Sequence, residues 1–130
     1  MKIGFTGSRE GMSQNQKEQF VLQLQKYEIT EFHHGDCEGA DAEAHDIVRE
    51  FYPHVKIVIH PPISNYRRAF KKGDEMREPD DYLPRDERIV NETEHLFGAP
   101  LHDEEDKRSG TWYTIRYARR RYKEHTLLKR

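Results

Sequence analysis

The segment His33-His34-Gly35-Asp36-Cys37-Glu38-Gly39-Ala40-Asp41 sets two glycines among three carboxylates, a composition suited to holding a polar ligand. Glycine removes a side chain where backbone must approach a ligand, and a carboxylate accepts from sugar hydroxyls or stabilises a developing positive charge. Gly35, Gly39 and Ala40 are therefore candidate contact positions. Asp36 or Asp41 is a candidate hydroxyl acceptor, although Asp41 is equally suited to capping a helix that begins near Ala40. Ser109-Gly110-Thr111 offers hydroxyls and N–H groups at a helix start, where the dipole favours a phosphate; an ordinary N-capped turn uses the same residues. In Gly7-Ser8-Arg9 the arginine supplies a planar fork for a phosphate or carboxylate. Arg85 and Arg88, one helical turn apart, complete a cationic wall or pair with Asp81 or Glu92.

Other chemistries fit less well. His33 and His34 would point to opposite faces of a strand, and paired Cys-x-x-Cys or His-Glu-x-x-His spacing is absent, so no metal is expected. Cys37 lies among acidic residues, which do not activate a thiolate, and reads as structural. Neither G-x-G-x-x-G nor G-x-x-x-x-G-K-[ST] occurs, which disfavours a standard dinucleotide domain and a triphosphatase; no cofactor is expected. The basic run Arg116, Arg119, Arg120, Arg121 and Lys123 ends a helix, where the dipole favours cations.

These residues need a scaffold, and the apolar pattern specifies one. Lys2–Thr6, Glu31–His34, Val55–His60 and His95–Ala99 read as strands bounded by Gly or Pro, with Thr126–Leu128 as a short final one. Helices are expected from Ser13, a plausible N-cap, to Tyr27 on the stripe Phe20, Leu24, Tyr27, and from Ala40 to Phe51 before Pro53. A short one follows from Pro84, and a last one runs from Thr111 through Trp112, Ile115, Ala118 and Tyr122. Ile63–Leu83 shows no period, carries five basic residues, and reads as a long connection of the kind that often forms a lid. Alternation of strand and helix predicts a three-layer, Rossmann-like α/β fold with a mostly parallel sheet of about five strands, and hence one domain. All three glycine turns then lie beyond strand carboxyl ends, where such sheets bind ligands.

Composition limits the partners. The 130 residues carry 22 Lys+Arg against 24 Asp+Glu, a formal charge of -2, so the field lacks the positive sign that drives non-specific nucleic-acid binding. One cysteine and no long apolar run point to a soluble, reducing, cytoplasmic setting with no membrane contact. With 34% hydrophobic and 35% charged residues the chain is polar for a globular domain, consistent with a small core and with part of the surface covered in a homo-oligomer.

Taken together and in order, Gly7-Ser8-Arg9, His34-Gly35-Asp36-Cys37-Glu38-Gly39-Ala40-Asp41 and Ser109-Gly110-Thr111 resemble the SLOG superfamily, which groups Smf/DprA proteins with the LOG proteins. Its small stand-alone members are the nearest in kind. The resemblance spans nearly the whole chain and implies a Rossmann-like sheet binding nucleotides or nucleotide-derived ligands, such as a nucleoside monophosphate or an ADP-ribose type. LOG enzymes are phosphoribohydrolases, N-glycosidases of nucleoside 5'-monophosphates, that use Gly-Gly-x-Gly-Thr-x-x-Glu. Here Arg108 stands in place of an upstream glycine and Thr114 in place of the glutamate. A threonine supplies no negative charge to an oxocarbenium ion, so cleavage would need Asp36, Glu38 or Asp41 instead. Binding is thus the leading expectation, base release the second, and single-strand nucleic-acid handling in the manner of DprA a distant third.

Overall fold

The computed structural model describes residues 1–130. Short runs rich in Ile, Val and Phe form β1 (Lys2–Gly7), β2 (Glu31–His34), β3 (Lys56–Ile59) and β5 (His95–Ala99), joined by β4 (Glu75–Met76) and β6 (Glu124–Leu127). All six strands are parallel, in the order β4-β3-β2-β1-β5-β6. The helices are α1 (Gln14–Leu24), α2 (Ala40–Phe51), α3 (Tyr82–Glu92) and α4 (Gly110–Arg120). The fold is Rossmann-like α/β. No helix is long and apolar enough to cross a membrane.

Two apolar clusters define three layers. On one face α1 and α2 cover Ile3, Phe5, Phe32, Ile57, Ile59 and Phe97; on the other, Ile89 and Val90 of α3 and Ala118 of α4 meet Leu96. Phe20 of α1 centres the larger cluster, its ring 5.3 Å from Phe5, 6.0 Å from Phe32 and 5.5 Å from Phe97. Ser13 caps α1 in a reciprocal capping box with Gln16. Gln16 is itself fully buried and donates to Pro100 O at 2.9 Å and Leu128 O at 3.0 Å, tying α1 to the chain after β5 and β6.

The structure departs from the sequence pattern at several elements. The sheet has six strands, because Glu75-Met76 joins its edge inside the stretch that lacks a period. That strand owes nothing to an apolar run. Asp74 N donates to Ile57 O and Asp74 Oδ2 accepts from Ile57 N, both at 2.8 Å, while Arg77 N donates to Ile59 O at 2.9 Å. The helix expected to be short from Pro84 begins at Tyr82 and runs 11 residues. Pro84 is tolerated in its first turn, where a backbone N–H has no intrahelical acceptor. Helix α1 stops at Leu24, and Tyr27 packs on the core from beyond its end.

Phe20→Ala is expected to lower stability by about 3–5 kcal/mol, as for large aromatic truncations in closed cores, with loss of its three ring contacts; urea unfolding followed by circular dichroism measures it.

Candidate functional site

A cavity of about 480 Å³ opens beyond the carboxyl ends of β1, β2 and β5. It straddles the point between β1 and β5 where the strand order reverses, the usual ligand position in such sheets. Gly7, Ser8 and Arg9 line it from the first turn, Gly35 and Asp41 from the second, Arg85 from α3, and Ser109, Gly110 and Thr111 from the start of α4. The three separated turns form one wall.

Backbone packing explains the glycines. Gly39 adopts φ +85°, and a Cβ there would fall 2.2 Å from Arg9 O, so only glycine lets the first two turns interlock. Ser8 O seals the joint by accepting from Ala40 N at 2.9 Å. Gly39 and Ala40 therefore shape the wall from behind without lining it. Gly110 differs, since a Cβ there would meet nothing within 4 Å. Ser109 Oγ accepts from Trp112 N at 3.2 Å as the helix cap, whereas the Gly110 and Thr111 N–H groups have no acceptor within the chain.

The carboxylates of the second turn separate into different roles. Asp36, at φ +59°, is fully buried but faces away, accepting from Arg68 Nε at 2.8 Å and Lys71 N at 2.9 Å. Glu38 is exposed and pairs with Arg67 at 3.3 Å. Neither lines the cavity. The loop expected as a lid is thus fastened to this turn: Arg67 also bonds Glu10 at 3.1 Å, and Ala69 N donates to Asp36 O at 2.8 Å. Asp41 does line the cavity and is not the helix cap, a place taken by Gly39. Its Oδ2 accepts from Cys37 N at 3.2 Å, while its Oδ1 is buried with no partner. Burial pushes its pKa up to about 7, against the pull of the Arg85 charge.

Arg85 is 3% exposed, and its partner is neither Asp81 nor Glu92. Its Nε donates to Asp86 Oδ1 at 2.7 Å, and its Nη1 donates to Gly35 O at 2.6 Å and His60 O at 3.0 Å. Burial opposes its charge, but Asp86, Cys37 and Asp41 outweigh that and hold its pKa up. Burial likewise raises the Asp86 carboxyl, and Arg85 counteracts this. Arg88 joins no cationic wall: it donates to His60 Nδ1 and Glu78 O. Arg9 stacks on the Tyr82 ring, 4.8 Å from its centre, and meets no carboxylate. The Cys37 thiol is pushed up by burial, in keeping with a structural cysteine.

Buried histidines form two relays beneath this wall. Arg88 can only donate, so His60 carries its proton on Nε2, gives it to His33 Nδ1 at 2.8 Å, and His33 Nε2–H donates to Glu31 at 2.8 Å. Asp36 N donates to His34 Nδ1, so His34 Nε2–H reaches His45 Nδ1 at 2.9 Å. Ligand atoms of His33, His60 and Glu92 lie within 4.8 Å of one another, but Arg88 and Arg77 already hold His60 and Glu92, which makes the cluster a poor cation site.

The sequence reading missed Asp86, Tyr82 and Arg108 on the cavity wall. Asp86 had a signal, because it precedes Ile89 and Val90 by one turn on the buried face of α3, where a carboxylate needs a reason. Set against known proteins, the chain matches no family model, no curated protein and no solved structure.

Arg85→Met is expected to cost about 3–5 kcal/mol, the usual result of breaking a buried pair. Adding Asp86→Ala should recover only part, because Gly35 O and His60 O still lack their donor; urea unfolding of the single and double variants measures both.

Burial keeps His33, His34, His45, His60 and His95 below the usual histidine range, His60 down to about 2. The unfolded chain takes up protons that these sites refuse, so stability present above about pH 6.5 falls between about pH 7 and 5. Asp41 has the opposite sign, since its raised pKa adds stability as pH drops below about 7. Asp41→Asn should therefore steepen the acid loss, as read from urea midpoints across that range.

Proposed function

We propose that the cavity binds a nucleotide or nucleotide-derived ligand, a nucleoside monophosphate or an ADP-ribose type. One observation carries this reading: a single cavity joins groups that seek an anion to a carboxylate oxygen that seeks a hydrogen-bond donor. The first set is the unpaired N–H groups of Gly110 and Thr111 with Arg9 and Arg108, neither of which meets a carboxylate. The second is Asp41 Oδ1. Phosphate is assigned to the α4 N-terminus and Arg9, the sugar to Asp41, and an aromatic base to the partly open Tyr82 ring beside Leu83 and Leu101. The cavity volume lies within the roughly 300–1,000 Å³ common for small-molecule sites. The likeness of the three turns to the SLOG superfamily supports the same assignment.

Two buried carboxylates on the wall, Asp41 and Asp86, favour a second reading, a phosphoribohydrolase that releases free base. In that reading Asp41 stabilises the oxocarbenium ion, because Asp36 and Glu38 are engaged elsewhere. Thr114, fully buried, gives its hydroxyl to Gly110 O and offers no charge. Nucleic-acid binding is not proposed: Arg116 and Arg119 of the basic helix end share Glu105.

Gly110→Trp should abolish binding of nucleoside monophosphates and ADP-ribose without lowering stability, since the added side chain enters open cavity. Calorimetric titration with chromatography of the mixture decides between the readings. Saturable binding with intact ligand supports a binding module, released base supports the hydrolase, and wild-type affinity in Gly110→Trp removes the site.

A further inference from the structure

Asp41 sits 5% exposed on the cavity wall with one oxygen satisfied and the other bare. A buried acceptor without a donor costs about 1–3 kcal/mol and calls for an explanation. The two donors that act on Asp41 are already committed. Cys37 N serves Asp41 Oδ2, and the Arg85 guanidinium points its hydrogens at Asp86, Gly35 O, His60 O and Cys37 Sγ. Arg85 acts on the charge of Asp41 without giving it a hydrogen bond. The cavity that Asp41 lines is the route open to a donor from outside.

The surroundings restrict its chemistry. A ligand cation is disfavoured, because Arg85 and Arg9 stand on the same wall, and a phosphate is repelled by the carboxylates of Asp41 and Asp86. A neutral hydroxyl suits both conditions. Asp86 is a second carboxylate on that wall: Arg85 Nε engages its Oδ1, the Thr114 hydroxyl lies beside it, and its side chain keeps 11% exposure. Two carboxylates on one wall suit a ligand with two hydroxyls.

We propose that Asp41 and Asp86 recognise the vicinal diol of a ribose, so that the cavity takes ribonucleotides and discriminates against their 2'-deoxy counterparts. This rests on the nucleotide reading and deepens it by naming the sugar. A site built to bond a hydroxyl rejects the analogue that lacks it, because its own buried acceptor is then left unpaired. Hydrogen bonds to charged groups make that difference about 10- to 100-fold.

The test is calorimetric titration of the unaltered protein with ribonucleoside 5'-monophosphates and ADP-ribose, each beside its 2'-deoxy counterpart. The comparison is repeated on Asp41→Asn, which keeps the shape and the acceptor for Cys37 N, after its fold is checked by circular dichroism. The expected result is ribose-form binding at least about ten-fold tighter in the unaltered protein, with the gap erased in Asp41→Asn. Equal binding of ribose and deoxyribose forms overturns the diol proposal and leaves the nucleotide reading standing. Binding of no member of the panel overturns both. The comparison on the unaltered protein stands whether or not the variant folds.

Discussion

The buried guanidinium of Arg85 is the constraint on which the site depends. It reaches from α3 across the cavity floor to backbone oxygens at the ends of β2 and β3, Gly35 O and His60 O, and so locks a helix on one face of the sheet to two strand ends. A charge placed there must be neutralised, and Asp86 and Asp41 are the groups that do so. Lysine could not substitute, because one ammonium cannot bridge Asp86, two carbonyls and a sulfur in one plane. The same cation pulls both carboxyls back toward ionisation, against the burial that raises them.

Around that anchor, close backbone approach does the rest. Gly39 against Arg9 O brings the first turn onto the second, and Gly7 lies where a Cβ would be 2.5 Å from Ala40 Cβ. The Asp36 carboxylate, bonded to Arg68 and Lys71 N, straps the 61–81 connection over the second turn, while its own N–H fixes the tautomer of His34. An acidic residue that resembles a ligand group thus acts as a structural staple. Helix α4 starts on open space at Gly110, where an added Cβ would meet nothing within 4 Å.

The cavity combines groups of two chemical kinds. Arg9, Arg108 and two free N–H groups line the same cavity as two carboxylates, one paired with Arg85 and the other under its charge. Such an arrangement suits a ligand that is itself divided, with an anionic group and neutral hydroxyls. Rigid elements carry most of these groups, which limits the reorganisation needed on binding.

Much of the scaffold was legible in the sequence because local rules govern it: apolar runs ended by Gly or Pro, the Ser13 capping box, and helical spacing from Ala40 to Phe51. These place three glycine turns at one sheet edge whatever the rest of the chain does. The sequence did not distinguish Asp36 from Asp41, since both are aspartates in one turn, and only the path of the 61–81 connection, with Arg68 arriving from 32 residues away, assigns Asp36 to structure and leaves Asp41 facing the cavity. Strand β4 was invisible for the same reason, as two residues gain their place from an existing sheet edge and not from their own pattern. Arg85 read as part of a cationic wall or as a partner of Asp81 or Glu92, and burial against Gly35 and His60 from two other segments made it the centre of the site. Local propensity and periodicity determined the elements; contacts between residues distant in sequence decided which polar side chains were consumed by the fold and which were left on the cavity wall.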